Sequence, residues 1–184
     1  MTFSLNRELV GLRRSEYARL VDALEEDQGW TDYFAKFAQS RNAMHLAVMV
    51  EPYLSYLLEG KKTIESRFSI HKRAPYNRVR KDDVILVKRP GGPIVGICLV
   101  SNVWFYELDQ ASWKKIWTDF FQKIFVADPE FWFERQHASY ATLILIKNAR
   151  TIRPFRYAKK DRRGWVVLRP HKDQLGLDTK LERA

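Results

Sequence analysis

Apolar positions recur at helical spacing in the first part of the chain and then give way to short pleated runs. Leu5, Leu9, Leu12, Leu20, Val21 and Leu24 form one stripe, which predicts a helix over residues 5–26 with Ser4 able to cap it. A second helix is expected after Thr31, with Tyr33, Phe34 and Phe37 on one side and an end near residues 40–42. From Met44 the pattern changes: residues 44–50 (MHLAVMV) suit a pleated core. Glu51-Pro52 opens a short helix with Tyr53, Leu54, Leu57 and Leu58 inward, and Gly60 supplies its stop. Residues 61–68 leave as an extended strand, and 69–82 read as a polar, basic loop. Residues 84–88 and 94–100 predict a hairpin around Pro90-Gly91-Gly92-Pro93. A helix from Asp109 to near Phe125 follows, with Trp113, Ile116, Trp117 and Phe120 as its apolar face. Asp128-Pro129 begins another short helix through Arg135, and 139–147, 151–155 and 164–168 read as strands. The order predicts a mixed α+β domain over 44–170, centred on a small barrel of five to six strands with flanking helices. Residues 1–43 form a helical extension packed onto it, and 171–184 a tail.

Composition sharpens this picture only in part. An apolar fraction of 46% supports a core, and an aromatic fraction of 14% is rich. The one cysteine, Cys98, lies in an apolar run and excludes an intramolecular disulfide framework. The N-terminus carries charges where a signal peptide needs an apolar stretch, and no run is long enough for a membrane span, so a cytoplasmic protein without membrane contact is expected. The net charge of +10 is unevenly placed. Residues 1–44 hold six Lys/Arg and seven Asp/Glu, whereas the rest holds twenty-six against fifteen. The excess points to a polyanion such as nucleic acid as partner, and away from the near-neutral helical extension.

The most informative stretch is Gly60-Lys61-Lys62-Thr63-Ile64-Glu65-Ser66-Arg67. Its G-x-K-x-x-E-x-R pattern, met by Gly60, Lys62, Glu65 and Arg67, resembles the signature of the ASCH domain family. The helix before it and the strands after it fit that family's order over roughly residues 44–170. The resemblance implies a PUA-like β-barrel with a cleft between barrel and helices, and RNA or a modified nucleobase as ligand. It also places Lys62 on the catalytic lysine of those relatives that remove acetyl groups from acetylated cytidine. Three residues later, where those relatives carry threonine, this chain has Glu65.

Alternation along a strand puts Thr63, Glu65 and Arg67 on one face and Ile64 and Phe68 on the core side. Lys62 has the wrong parity and joins them only if the Gly60 turn reorients it. Arg67 suits a forked donor to phosphate or a base edge, and Glu65 an acceptor from an amino group. Lys62 and Glu65 are thus the candidate catalytic pair, with Glu107 or Asp119 as candidates for a further carboxylate. Cleavage of RNA, with His71 assisting Lys62 and Arg67, is a separate option. His45, His71, His137 and His171 are scattered without metal-ligand spacing, so no metal and no cofactor is expected. The candidate ligand contacts are Lys61, Thr63, Arg67, Arg73, Tyr76, Arg78, Arg80, Trp104, Arg153, Arg156, Lys160 and Arg163. They come from two basic runs, interleaved with Tyr76, Phe155, Tyr157 and Trp165 as stacking faces. RNA or a nucleoside is the expected partner, ahead of amide hydrolysis on an acylated pyrimidine nucleoside and of a protein–protein adaptor docking through 1–43.

Overall fold

The computed structural model describes residues 12–37, 39–126, 128–159 and 162–173. Ser4, Leu5, Leu9, Lys160 and the tail from residue 174 on lie outside them. Five helices and six strands follow in the order α1 (Arg14–Leu24), α2 (Gln28–Phe37), β1 (Met44–Val48), α3 (Tyr53–Leu58), β2 (Ile64–Ser69), β3 (Val84–Lys88), β4 (Ile94–Glu107), α4 (Gln110–Ile124), α5 (Pro129–Phe133), β5 (Tyr140–Phe155) and β6 (Trp165–Arg169). The strands form one curled half-barrel in the order β2-β5-β4-β3-β1-β6, with β1 and β3 parallel and every other pair antiparallel. This is the mixed α+β architecture that the sequence pattern implies.

Several elements differ from expectation. α2 starts at Gln28, before Thr31, because the Asp27 carboxylate accepts from the Trp30 amide (3.2 Å) and caps the helix there. Trp30 thereby joins Phe34 and Phe37 in the core, whereas Val21 of α1 stays partly exposed. The two strands expected over 139–147 and 151–155 are one long strand, β5. Its polar stretch at 147–150 is a bulged register shift against β4, with Asn148 at φ +53°. β4 likewise runs on to Glu107 to pair with Tyr140. Trp117, expected on the buried face of α4, is 53% exposed, and Trp113 is half-buried, stacked on Phe68 at 5.3 Å.

The core has three parts. α1 and α2 press Leu20, Leu24, Trp30, Phe34 and Phe37 onto Leu46, Leu86 and Ile97 of one sheet face. Leu54 and Leu57 of α3 close the barrel interior around Ile85, Val87 and Val100. A Cβ at Gly96 would sit 2.5 Å from Leu58 Cδ2, so glycine is what lets α3 approach β4. Cys98 lies here, and burial pushes its thiol up, which leaves it unreactive. Ile116, Phe120 and Ile124 of α4 cover the third part, over Ile64 and Leu143.

One buried carboxylate ties distant segments together. Asp83 accepts from the Ala43 amide (2.8 Å) and His171 Nε2 (2.8 Å) on one oxygen. Its other oxygen takes the Arg80 amide (2.7 Å) and His45 Nε2 (3.0 Å). Trp165 Nε1 donates to His45 Nδ1 (3.2 Å). An indole N–H is donor only, so His45 is neutral with its proton on Nε2, in keeping with burial holding it below the ordinary imidazole value. His45 and His171, scattered in sequence, thus converge on one acceptor.

Asp83→Ala leaves four donors without this acceptor, and should lower the unfolding free energy by at least about 3 kcal/mol in urea titration. The sign with pH is also set. His45 is held below its ordinary 6.5 by burial, and Asp83 below its ordinary 3.8 by the hydrogen bonds from His171 and His45. Both therefore favour the fold above those values and lose that contribution on acidification. The urea midpoint should fall between pH 7.5 and pH 5; a rise would refute the assignment.

Candidate functional site

The Gly60–Arg67 segment begins where α3 ends. Gly60 takes φ +76° and turns the chain so that the Lys62 amide donates to the Tyr56 carbonyl (2.9 Å) and the Thr63 amide to the Lys123 carbonyl (3.2 Å). That turn swings Lys62 onto the side of Glu65 and Arg67, against strand parity. Lys62 is only 3% exposed; its Nζ donates to the Ile124 carbonyl at the end of α4 (2.7 Å) and lies 3.7 Å from Glu65 Oε2. The other Glu65 oxygen is 2.7 Å from Arg67 Nε, but that N–H is not aimed along the contact and has no hydrogen-bond acceptor. Arg67 Nη1 donates to the Gly164 carbonyl (3.2 Å), Nη2 to the Val48 carbonyl (3.0 Å), and its guanidinium lies 5.4 Å from the Trp165 ring.

The three charges are thus coupled. Desolvation lowers the Lys62 amine from its ordinary value and the Arg67 charge adds to this, while Glu65 opposes it. A lysine so placed is a base nearer neutrality than a surface lysine, and its amine is also the terminal partner of α4. Lys61 points away: it is exposed and paired with Glu59 (2.7 Å).

A cavity of about 1140 Å³ adjoins this network. Val48 and Gly164, the two carbonyls that Arg67 holds, line it. Its sides are Arg13, Glu16 and Arg19 of the α1 region, the Pro90-Gly91-Gly92-Pro93 turn, and Arg156, Lys159, Arg162 and Arg163. Lys88, donating to the Arg89 and Gly92 carbonyls (3.1 and 2.5 Å), completes the lining and is held below its ordinary value by burial and by Lys159.

Of the sequence candidates, the structure brings Lys62, Glu65 and Arg67 into one network and Arg156 and Arg163 into the adjoining cleft. Arg153 lines a smaller cavity beyond it. The first basic run does not join them: Arg73, Arg78 and Arg80 are exposed on the loop after β2 and line none of these cavities, and Arg80 is paired with Asp173 (2.7 Å). The expected stacking faces are mostly interior. Tyr76 is packed edge-on against Phe105 and Tyr140, Trp104 lies 4.9 Å from Phe120 under α4, and Phe155 and Trp165 are buried. Glu107 pairs with Lys72 (2.6 Å) and Asp119 with Lys115 (2.6 Å), both on the surface, so neither supplies a carboxylate to Lys62. His71 is exposed on the loop and lines none of these cavities. Among the described residues no group of three or more His, Cys, Asp or Glu is disposed to hold a metal, and no helix is long and apolar enough to cross a membrane. Sequence reasoning missed Arg13, Arg19 and Lys88; summing charge over the extension, instead of sorting it by helix face, hid the first two.

A family model described as the ASCH domain matches residues 48–154. No curated protein matches the chain. Among solved structures, the chain is similar to ASCH from Zymomonas mobilis at 16% identity and a TM-score of 0.56, covering 77% of this chain and 96% of that one. It is also similar to a tyrosine-to-phenylalanine mutant of that protein, at 16% identity and TM-score 0.54 over 76% and 99%. A serine-to-alanine mutant gives 16%, 0.54, 77% and 97%. At this identity the likeness concerns the fold.

The coupling around Lys62 is testable. Glu65→Gln removes the one influence that raises the Lys62 amine, so its titration should move further down; a 15N-detected pH titration of the Nζ resonance reads the shift, and an upward move would contradict the geometry.

Proposed function

The chain belongs to the ASCH domain family, and from that premise we propose that it is an RNA-binding module of the PUA-like kind, taking RNA or a modified nucleobase in the cleft beside Gly60–Arg67. One observation carries the reading: the cavity of about 1140 Å³ is walled by arginines and lined by the two residues whose carbonyls the motif's Arg67 holds. Exposed guanidinium groups neutralise phosphates and release their counterions, which supplies affinity without sequence selection. The motif's own cations are compensated by Glu65, so the attractive field comes from the cleft walls and the motif shapes the floor. We place this work in the cytoplasm, supported by a lone buried thiol that needs no oxidising compartment.

A second reading, hydrolysis of an acylated pyrimidine nucleoside, draws on the desolvated Lys62 amine with a carboxylate 3.7 Å away. Its amine is buried under the end of α4, so substrate reaches it only if the connection after Ile124 moves.

Fluorescence anisotropy with labelled single-stranded RNA tests the first reading. Affinity should fall steeply with salt, and Arg156→Ala with Arg162→Ala should weaken it about tenfold; absent or salt-independent binding overturns it. Acetylated cytidine should be turned over, and Lys62→Ala should abolish this, if the second holds; no turnover rejects it.

A further inference from the structure

One wall of the cleft comes from outside the stretch that matches the ASCH family. Arg13 and Arg19 stand at the start and middle of α1, both exposed, and both line the same cavity as Arg156 and Arg162. We propose that α1 is one jaw of a clamp that grips a single strand of RNA by its phosphates, the strand running from the Pro90–Pro93 turn past Arg19 to Arg153. The proposal rests on the reading of the cleft as an RNA site and adds which part of the chain, and which form of RNA, that site engages.

Charge is the first argument. Arg13, Arg19, Arg153, Arg156 and Arg162 have no ion-pair partner among the described residues. The acid between them, Glu16, lines the cavity but is largely buried, its carboxylate accepting from the Arg13 amide at 3.0 Å. With Glu16 spent on the helix start, the first cavity is lined by a large excess of cations, and Asp22 is the acid that enters the second. Cations lining one groove raise a positive potential that a polyanion in it relieves.

Size and continuity are the second. The cavity of about 1140 Å³ meets a neighbour of about 330 Å³, the two sharing Arg19, Pro154, Phe155 and Arg156. Together they exceed the roughly 300–1,000 Å³ of a small-molecule pocket, and suit a few nucleotides of one strand. Past Arg153 the surface changes sign. A third cavity is lined by Asp22, Glu25, Glu26 and Asp27 against Arg150 and Arg153, a net negative surface that ends the track. The walls offer few rings to stack on, since Phe155 is buried and Tyr157 is partly buried against the core, so the grip is mainly on the backbone.

The test compares labelled oligouridylates of 4, 8 and 12 nucleotides with a 12-base-pair RNA duplex across 50–300 mM salt. Wild-type affinity should rise from the 4-mer to the 8-mer and little further, and exceed that for the duplex. Arg13→Gln with Arg19→Gln should weaken 8-mer binding about tenfold and reduce the slope of log affinity against log salt by about 1.4, two phosphates at about 0.7 each. Arg13→Lys with Arg19→Lys should restore the slope. If the glutamine pair binds as wild type while Arg156→Ala with Arg162→Ala weakens binding, the clamp is wrong and the RNA reading stands. If wild type binds no RNA at any salt, the functional reading itself falls.

Discussion

A half-barrel has two open edges, and in this molecule one guanidinium spans the gap between them. Arg67 sits on the edge strand β2 and hydrogen-bonds the carbonyl of Gly164, just before β6 on the opposite edge, and that of Val48 at the end of β1. Charged hydrogen bonds of this kind contribute about 1.5–3 kcal/mol each, and here they join strands that no ladder joins. A Cβ at Gly164 would lie 3.1 Å from Arg67 Nη1, so a larger residue there would press on the guanidinium. Glu65 balances the guanidinium from below, and Lys62 extends the same network to the last turn of α4. The Gly60–Arg67 segment is therefore what holds barrel, edge and helix in register.

This division of labour separates two kinds of positive charge. Lys62 and Arg67 are committed to internal partners, and Arg67 holds two carbonyls of residues that line the cleft. Arg13, Arg19, Arg156 and Arg162 are exposed, and they create the field. Substitution of the first kind perturbs the structure, whereas the second kind can be altered at little structural cost, because surface charges contribute little to stability.

Much of the fold was legible because its signals are local. Asp109 and Asp128-Pro129 mark helix starts, Pro90–Pro93 a hairpin, and Gly60 a helix end, and each acts where it stands. β5 was split because polar residues at a bulge look like a loop when read without their partner strand. The meeting of Lys62 with Glu65 and Arg67 was legible in the segment, down to the dependence of Lys62 on the Gly60 turn. What composition could not reveal is which way an aromatic faces: Tyr76 and Trp104 have the chemistry of stacking platforms and the surroundings of core residues. Nor could it bring His171 to Asp83 across a separation of 88 residues.

That last contact bears on how the chain reaches its native state. Ala43 and His45, Asp83, and His171 belong to the beginning, middle and end of the domain, and β1 pairs with β6 over a similar span. Such non-local pairings require long loops to close before they return any energy, so they slow folding. The β3–β4 hairpin can form early by itself, but β1 stays half-paired until the last strand arrives. Until then the buried histidine and the half-barrel edge are open to water and to other chains, which makes the final strand the step at which folding and aggregation compete.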